Sequence, residues 1–270
     1  MLSTIVTWRN RPQIARSIAT VVELVRRVGG EVVIVDMGGD AAQLAAHLGD
    51  HRAAVKVVRI EAAEFCKPIA QNIGAAHSHN PLLFFCDCDV VLEVDTIVDL
   101  VGSVRADHRA FGTVAQVAES DPWQLTRGQI LTFGYQLSIT MMNGRTLQII
   151  DDEPDPSRPT RRAPGLLVVR RSHFLEVNGF DSNLHGWGWE DQDMIARLTL
   201  GVGLHRISRG NAIHVTHDDN LRVSEYREKD QWATRDRSFR SALANYDRGW
   251  FLGTYARDAQ HISANLETAR

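Results

Sequence analysis

From residue 2 to residue 92, short apolar runs alternate with helical ones, and this alternation limits the possible folds more than any other feature. "LSTIVTW", "EVVIVDMGG", "VKVVRI" and "PLLFFCDCDVVL" read as buried strands. Between the first two, "QIARSIATVVELVRRVGG" sets Ile14, Ile18, Val21, Val25 and Val28 at helical spacing and stops at Gly-Gly. "PIAQNIGAAHS" opens on a proline, which suits the first turn of a helix. Strands that alternate with helices build a parallel sheet covered on both faces. Ligands of such sheets bind beyond the carboxyl ends of the strands. Here those ends carry Arg9 and Arg11, then Asp36, then Asp87 and Asp89.

The second half is less regular. "FGTVAQVA", "LLVVRR" and the short "NAIHVTHDD" read as strands. "DDEPDPSRPTRRAPG" holds four of the eight prolines, so Asp151 to Gly165 is expected to be an exposed loop and a candidate lid. Leu221 to Arg270 is polar and reads as mostly helical, packed on the outside. The expected organisation is one large α/β domain over residues 1–220, with a helical extension over 221–270. Within the domain, residues 1–118 and 119–220 are expected to form two halves, the first more regular than the second.

A net charge of −3 gives no general attraction to nucleic acid or to anionic membranes. The three cysteines cannot all pair within the chain. "MLSTIVTWRNRPQ" is a poor signal peptide, and no run approaches the roughly 18 apolar residues of a membrane helix. The expectation is a cytoplasmic chain with no transmembrane segment.

Asp87-Cys88-Asp89 lies where the fourth strand ends. Two carboxylates there suit a hard divalent cation, Mg²⁺ or Mn²⁺, or else cap a loop. Strand alternation turns Cys86 and Cys88 to the opposite face, which suits core packing better than a zinc site. Arg9 and Arg11 either grip a phosphate through forked hydrogen bonds or face water. Asp36 either accepts from a base or ribose or serves the turn at Gly38-Gly39. Lys67 and Asn72 flank the start of the next helix, with Lys67 facing phosphate or solvent. His214 and His217 are three apart, so on a strand they point to opposite faces and only one reaches a cation held by Asp89.

"HGWGWEDQDMIARL" crowds Trp187, Trp189, Glu190, Asp191 and Asp193 together. Acids in a first helical turn complement the macrodipole, which explains one or two of them but not the W-G-W before them. Glycines allow a tight backbone, flat indoles offer a surface for a sugar ring, and a neighbouring carboxylate can deprotonate a hydroxyl.

Together these motifs resemble a known family. "NGFDSNLHGWGWEDQDMIARL" is similar to the acceptor-side motif of the β-1,4-galactosyltransferases and their bacterial relatives. "IVTWRNRP" resembles their nucleotide-binding strand end. "FCKPIAQNIGAA" and "LLFFCDCDVVL" resemble the helix and D-x-D strand of GT-A glycosyltransferases, including the bacterial family 2 type. The resemblance implies a Rossmann-like GT-A fold with a mixed, mostly parallel sheet, a nucleotide-sugar donor (most often UDP-linked), Mn²⁺ or Mg²⁺, and inversion at the anomeric carbon. It implies that Arg9 and Arg11 contact the diphosphate, Asp36 the nucleoside, and Asp87 the ribose and sugar, with Lys67 and Asn72 also on the donor side. Asp89 and His217 would hold the metal, Glu190 the sugar or acceptor, and Trp187 would lie against donor and acceptor sugars, with Asp191 as base. Residues 1–118 would then be the nucleotide-sugar-binding half and 119–220 the acceptor-binding half, and Trp189 is a further expected acceptor contact. The acceptor is expected to be a sugar or another small molecule. A ring at Trp189, where the family often has glycine, argues against assuming its usual acceptor. The rival readings are a retaining transferase, a nucleotidyltransferase, which W-G-W-E-D does not support, and a binding protein without catalysis.

Overall fold

The computed structural model describes residues 1–124, 129, 133–152, 157, 159–218, 221 and 223–260. Among these, a mixed sheet runs in the order β3-β2-β1-β4-β9-β6-β11-β5, and β10 also pairs with β6. The strands are β1 (Leu2–Trp8), β2 (Gly30–Met37), β3 (Lys56–Ile60), β4 (Leu82–Asp87), β5 (Val90–Leu92), β6 (Ala110–Glu119), β9 (Thr160–Arg170), β10 (His205–Ser208) and β11 (Asn211–His214). β7 (Gly134–Thr140) and β8 (Thr146–Asp152) form a separate antiparallel hairpin. β1, β2, β3 and β4 are parallel neighbours, and the antiparallel β9 separates β4 from β6. This is the mixed, mostly parallel α/β architecture expected from the sequence.

The apolar alternation works as the period of two demands: Phe84 packs into one core and Phe85 into the other. Helix α1 (Ile14–Val28) buries Ile14, Ile18, Val21 and Val25 against the first core and ends at Gly29, whose φ is 74°. Helices α2 (Ala41–Leu48) and α4 (Val94–Ala106) share that side, while α5 (Arg171–Glu176) sends Phe174 into the other core. Helix α3 (Lys67–Ala76) lies close on β1, since a Cβ on Gly74 would meet Ile5 Cγ2 at 2.3 Å. It follows β3, so its first residue, Lys67, stands at the carboxyl edge of the sheet. Register puts Thr7 beside Asp87 and Trp8 beside Asp36 along that edge.

Two expectations change. The proline-rich stretch is largely strand: Asp151 and Asp152 end β8, and β9 begins at Thr160 and pairs with β6. Residues 153–156 and 158 of the candidate lid lie outside the described residues. The pairing jumps from Thr113–Leu167 to Val114–Ala163, so Pro164, Gly165 and Leu166 form a bulge, where a proline costs no ladder bond. Nor does the C-terminal segment lie wholly outside. Helix α7 (Gln231–Asp247) puts Ala242 and Tyr246 into the second core, and helix α8 (Tyr255–Gln260) buries Asp258. No helix among the described residues is long and apolar enough to cross a membrane.

Candidate active site

A cavity of about 240 Å³ opens at the carboxyl edge of the sheet. Asp87 and Asp89 reach it from the end of β4, while Cys86 and Cys88 turn into the core as alternation requires. Asp89 faces both histidines: His217 Nε2 is 3.2 Å and His214 Nε2 3.6 Å from Asp89 Oδ2. This corrects the expectation that only one imidazole could reach Asp89. Strand β11 stops at His214, and Val215 N–H donates to the Asp89 carbonyl at 2.8 Å, so strand alternation does not govern His217.

The three side chains fit a divalent cation. Their ligand atoms lie within 4.8 Å of one another. The Nδ1 atom of His214 faces Glu119 Oε2 at 2.7 Å and that of His217 faces the Asp218 carbonyl at 3.0 Å; both partners accept, so both Nδ1 atoms donate. In the neutral rings the Nε2 lone pairs then point at a carboxylate, an arrangement that either a proton on Nε2 or a cation between the groups relieves. Burial alone would lower the His214 pKa, but the hydrogen bonds to Asp89 and Glu119 outweigh it and raise it. Glu119 is itself buried, yet His214 and Arg161 hold its pKa down at about 2.

The other wall is the W-G-W-E-D turn. Helix α6 (Glu190–Ala196) starts at Glu190 after Trp189, which takes a left-handed φ of 75°. Glu190 and Asp191 line the cavity. Lys67 is the hub between them and the metal-side strand: its Nζ lies 3.0 Å from Asp87, 3.1 Å from Asp191 and 3.6 Å from Glu190. Burial opposes charge on Lys67, but the three carboxylates prevail and hold its pKa well above the ordinary value. Burial and the Asp191 charge push Glu190 up to about 7, and burial also raises Asp191 against the pull of Lys67. The β9 bulge makes room for this carboxylate, since a Cβ on Gly165 would lie 2.4 Å from Asp191 Oδ2.

Two other side chains of the turn pack inward. Asp193 points inward and accepts from Arg197 Nε and from the Tyr246 hydroxyl, both at 2.8 Å. Trp189 is 5% exposed, its indole set against Phe239 in the core, so Trp187 is the indole of this turn that is only half-buried. Gly186 and Gly188 admit α7: Cβ atoms there would meet Thr234 Cγ2 at 2.7 Å and Arg235 Cγ at 3.1 Å.

Arg9 and Arg11 line the cavity, but both also hold the segment after His217. Arg9 Nε pairs with Glu225 at 2.9 Å, and Arg11 donates to the Leu221 carbonyl. Two expected donor residues do not line the cavity. Asp36 is buried, accepts from Gly39 N–H at 2.8 Å and pairs with Arg59 at 3.1 Å. Asn72 is fully buried and bonds to Phe180 N–H and carbonyl and to Asp258 at 2.8–2.9 Å. It is a clamp between α3, the N-G-F turn and α8. Asp151 and Arg161 come from the stretch expected to be a lid, whereas Glu119, Tyr135, Glu225, Tyr226 and Arg235 are not foreseen by the sequence; of these only Glu119, an acid at a strand end, leaves a signal that could have found it.

Residues 3–164 match the glycosyl transferase family 2 model, and residues 147–218 match a model described as the N-terminal domain of galactosyltransferase. Polypeptide N-acetylgalactosaminyltransferase 3 of Drosophila melanogaster is 23% identical over 69% of this chain and 30% of its own length. The chain spans between 30% and 53% of the first curated relatives it matches. GalNAc-T7, solved with UDP, GalNAc and Mn²⁺, superposes with a TM-score of 0.58 at 19% identity, over 80% of this chain and 43% of its own. The mannosyltransferase PcManGT of Pyrobaculum calidifontis, solved with GDP-Man and Mn²⁺, gives 0.55 at 16%, over 97% of this chain and 68% of its own.

Proposed function

The chain belongs to glycosyl transferase family 2 and is a glycosyltransferase of the GT-A fold, and from that premise we propose that it moves a sugar, with inversion, from a UDP-linked donor to a hydroxyl of a sugar-containing or small-molecule acceptor. One observation carries the reading: a single cavity is lined both by the Asp89–His214–His217 cluster and by Asp191, with Lys67 joining their two walls. A binding protein has no use for a base beside a cation site.

Arg9 and Arg11 offer guanidinium forks to the diphosphate at the donor end. When bound at Asp89, His214 and His217, Mn²⁺ or Mg²⁺ supplies positive charge that stabilises a departing diphosphate. Asp191 takes the proton of the acceptor hydroxyl as its oxygen attacks the anomeric carbon and the bond to the diphosphate breaks. A base whose pKa is raised, beside Glu190 at about 7, is suited to proton transfer near neutrality. Lys67 keeps Asp191 oriented and favours its charged form. One displacement gives the inverted anomer.

The test is a panel of UDP- and GDP-sugars with Mn²⁺, Mg²⁺ or excess chelator, followed by NMR of the transfer product. Slow, metal-dependent release of UDP from one donor and an inverted anomer are expected. A retained anomer would remove the base role of Asp191, and no binding of any nucleotide sugar would remove the transfer reading altogether.

The Arg9–Glu225 pair adds a prediction, because Glu225 puts a carboxylate where the reading puts a phosphate. Glu225→Gln is expected to tighten UDP binding about two- to fivefold, the scale of a partly exposed ion pair. Calorimetric titration of UDP measures it; weaker binding would mean that Glu225 helps the donor site and does not compete with the donor.

A further inference from the structure

Next to the cavity wall formed by Tyr135, Asp151 and Arg235 lies an aromatic rim that no sequence motif announces. Tyr135 and Asp151 bring the β7–β8 hairpin to the cavity wall, and α7 brings Arg235. The Arg235 guanidinium lies 4.3 Å from the centre of the Trp232 ring and 5.4 Å from that of Tyr135. Its Nη1 atom is 3.4 Å from Asp151. Phe133 meets Trp232 edge-on, with ring centres 6.1 Å apart. The two rings stay 47% and 46% exposed. Neighbouring large rings left open beside residues that line a polar cavity suit a surface that a ligand covers.

The chemistry of the rim selects the ligand. A sugar ring has an apolar C–H face, which lies well on an aromatic ring, and an edge of hydroxyls that donate and accept. Trp232 and Phe133 supply the first kind of surface, and the Arg235–Asp151 pair, set among the rings, supplies the second. A lipid tail would meet the same rings but would strip water from that charged pair without replacing its hydrogen bonds, which is unfavourable.

We propose that this rim is a second sugar subsite, and that the acceptor is a di- or oligosaccharide. Its terminal residue presents a hydroxyl to Asp191, and the next residue stacks on Trp232 and Phe133. The inference rests on the transferase reading above and names the class of its acceptor.

The test has two stages. Donor hydrolysis by the wild-type protein is measured first; if no nucleotide sugar is bound or cleaved, the transferase reading itself fails. With the donor known, transfer is measured to methyl glycosides of glucose, galactose, mannose and N-acetylglucosamine, and to the di- and trisaccharides ending in each. A disaccharide is expected to exceed its matching monosaccharide in kcat/KM by about tenfold, and Trp232→Ala to erase most of that gap through KM, a rise of about five- to tenfold. Trp232→Phe, which keeps a ring, is expected to restore most of it, separating stacking from misfolding. Equal use of mono- and disaccharides by the wild type, or a gap that survives Phe133→Ala with Trp232→Ala, overturns the proposal. So does a panel in which no saccharide accepts, or a Trp232-dependent preference for a lipid-linked monosaccharide.

Discussion

Asp191→Asn is expected to lower turnover about 10²- to 10⁴-fold, the range that positioned base catalysis supplies, while the Kd for UDP stays nearly unchanged. The substitution keeps the shape that fits beside Gly165, where there is no room for a larger rearrangement. Lys67 keeps Asp87 and Glu190 as partners, so the ammonium is not left unpaired in a buried site. What is lost is the charge that accepts a proton. Pre-steady-state transfer and calorimetry with UDP read the two quantities separately. Full activity in Asp191→Asn would move the base role elsewhere, and Glu190 would be the next residue to test. A parallel loss of UDP affinity would mean that the substitution had collapsed the Lys67 hub.

Asp89→Ala is expected to cost at least about 10²- to 10³-fold in transfer, the scale on which a preorganised charge stabilises a leaving group. It should also remove Mn²⁺ binding seen directly by electron paramagnetic resonance. Asp89 is the only carboxylate in the described three-residue cluster, and both imidazoles converge on it. Glu119→Gln makes a graded comparison. It leaves the three ligands in place but exchanges the carboxylate that orients His214 for a neutral amide, so a loss of about 10- to 100-fold in Mn²⁺ affinity is expected. Mn²⁺ bound to Asp89→Ala with wild-type affinity would show that the ion sits elsewhere.

The sequence made the sheet legible because strands buried on both faces are written in apolar residues, and their polar ends stand out. That is why Asp87, Asp89, Arg9 and Arg11 could be singled out and are found around one cavity. Rules of local geometry failed where the chain leaves regular structure. Strand alternation allows only one of His214 and His217 to reach Asp89, but alternation does not extend past the end of β11. Trp189 borders the cavity, but most of its indole packs in the core against Phe239, where a platform for a sugar would need an open ring. Asn72 carries the same amide in a binding site or a clamp, and only its partner 186 residues further along the chain shows which. Tyr135 and Arg235 lie on a hairpin and a polar helix with no motif around them. Their meeting is a product of the fold, and periodicity could not foresee it.

The fastening of the site by the C-terminal helices bears on how the protein comes into being. Asp193 is held by Tyr246, the Trp187 carbonyl by Thr234, and Asn72 by Asp258. A ribosome delivers Asp191 well before any residue of α7 or α8. During synthesis, then, Glu190 and Asp191 emerge before these fastenings exist. Contacts of such long sequence separation form late and slowly. The residue proposed as base is therefore framed as observed only once α7 and α8 have packed behind the turn.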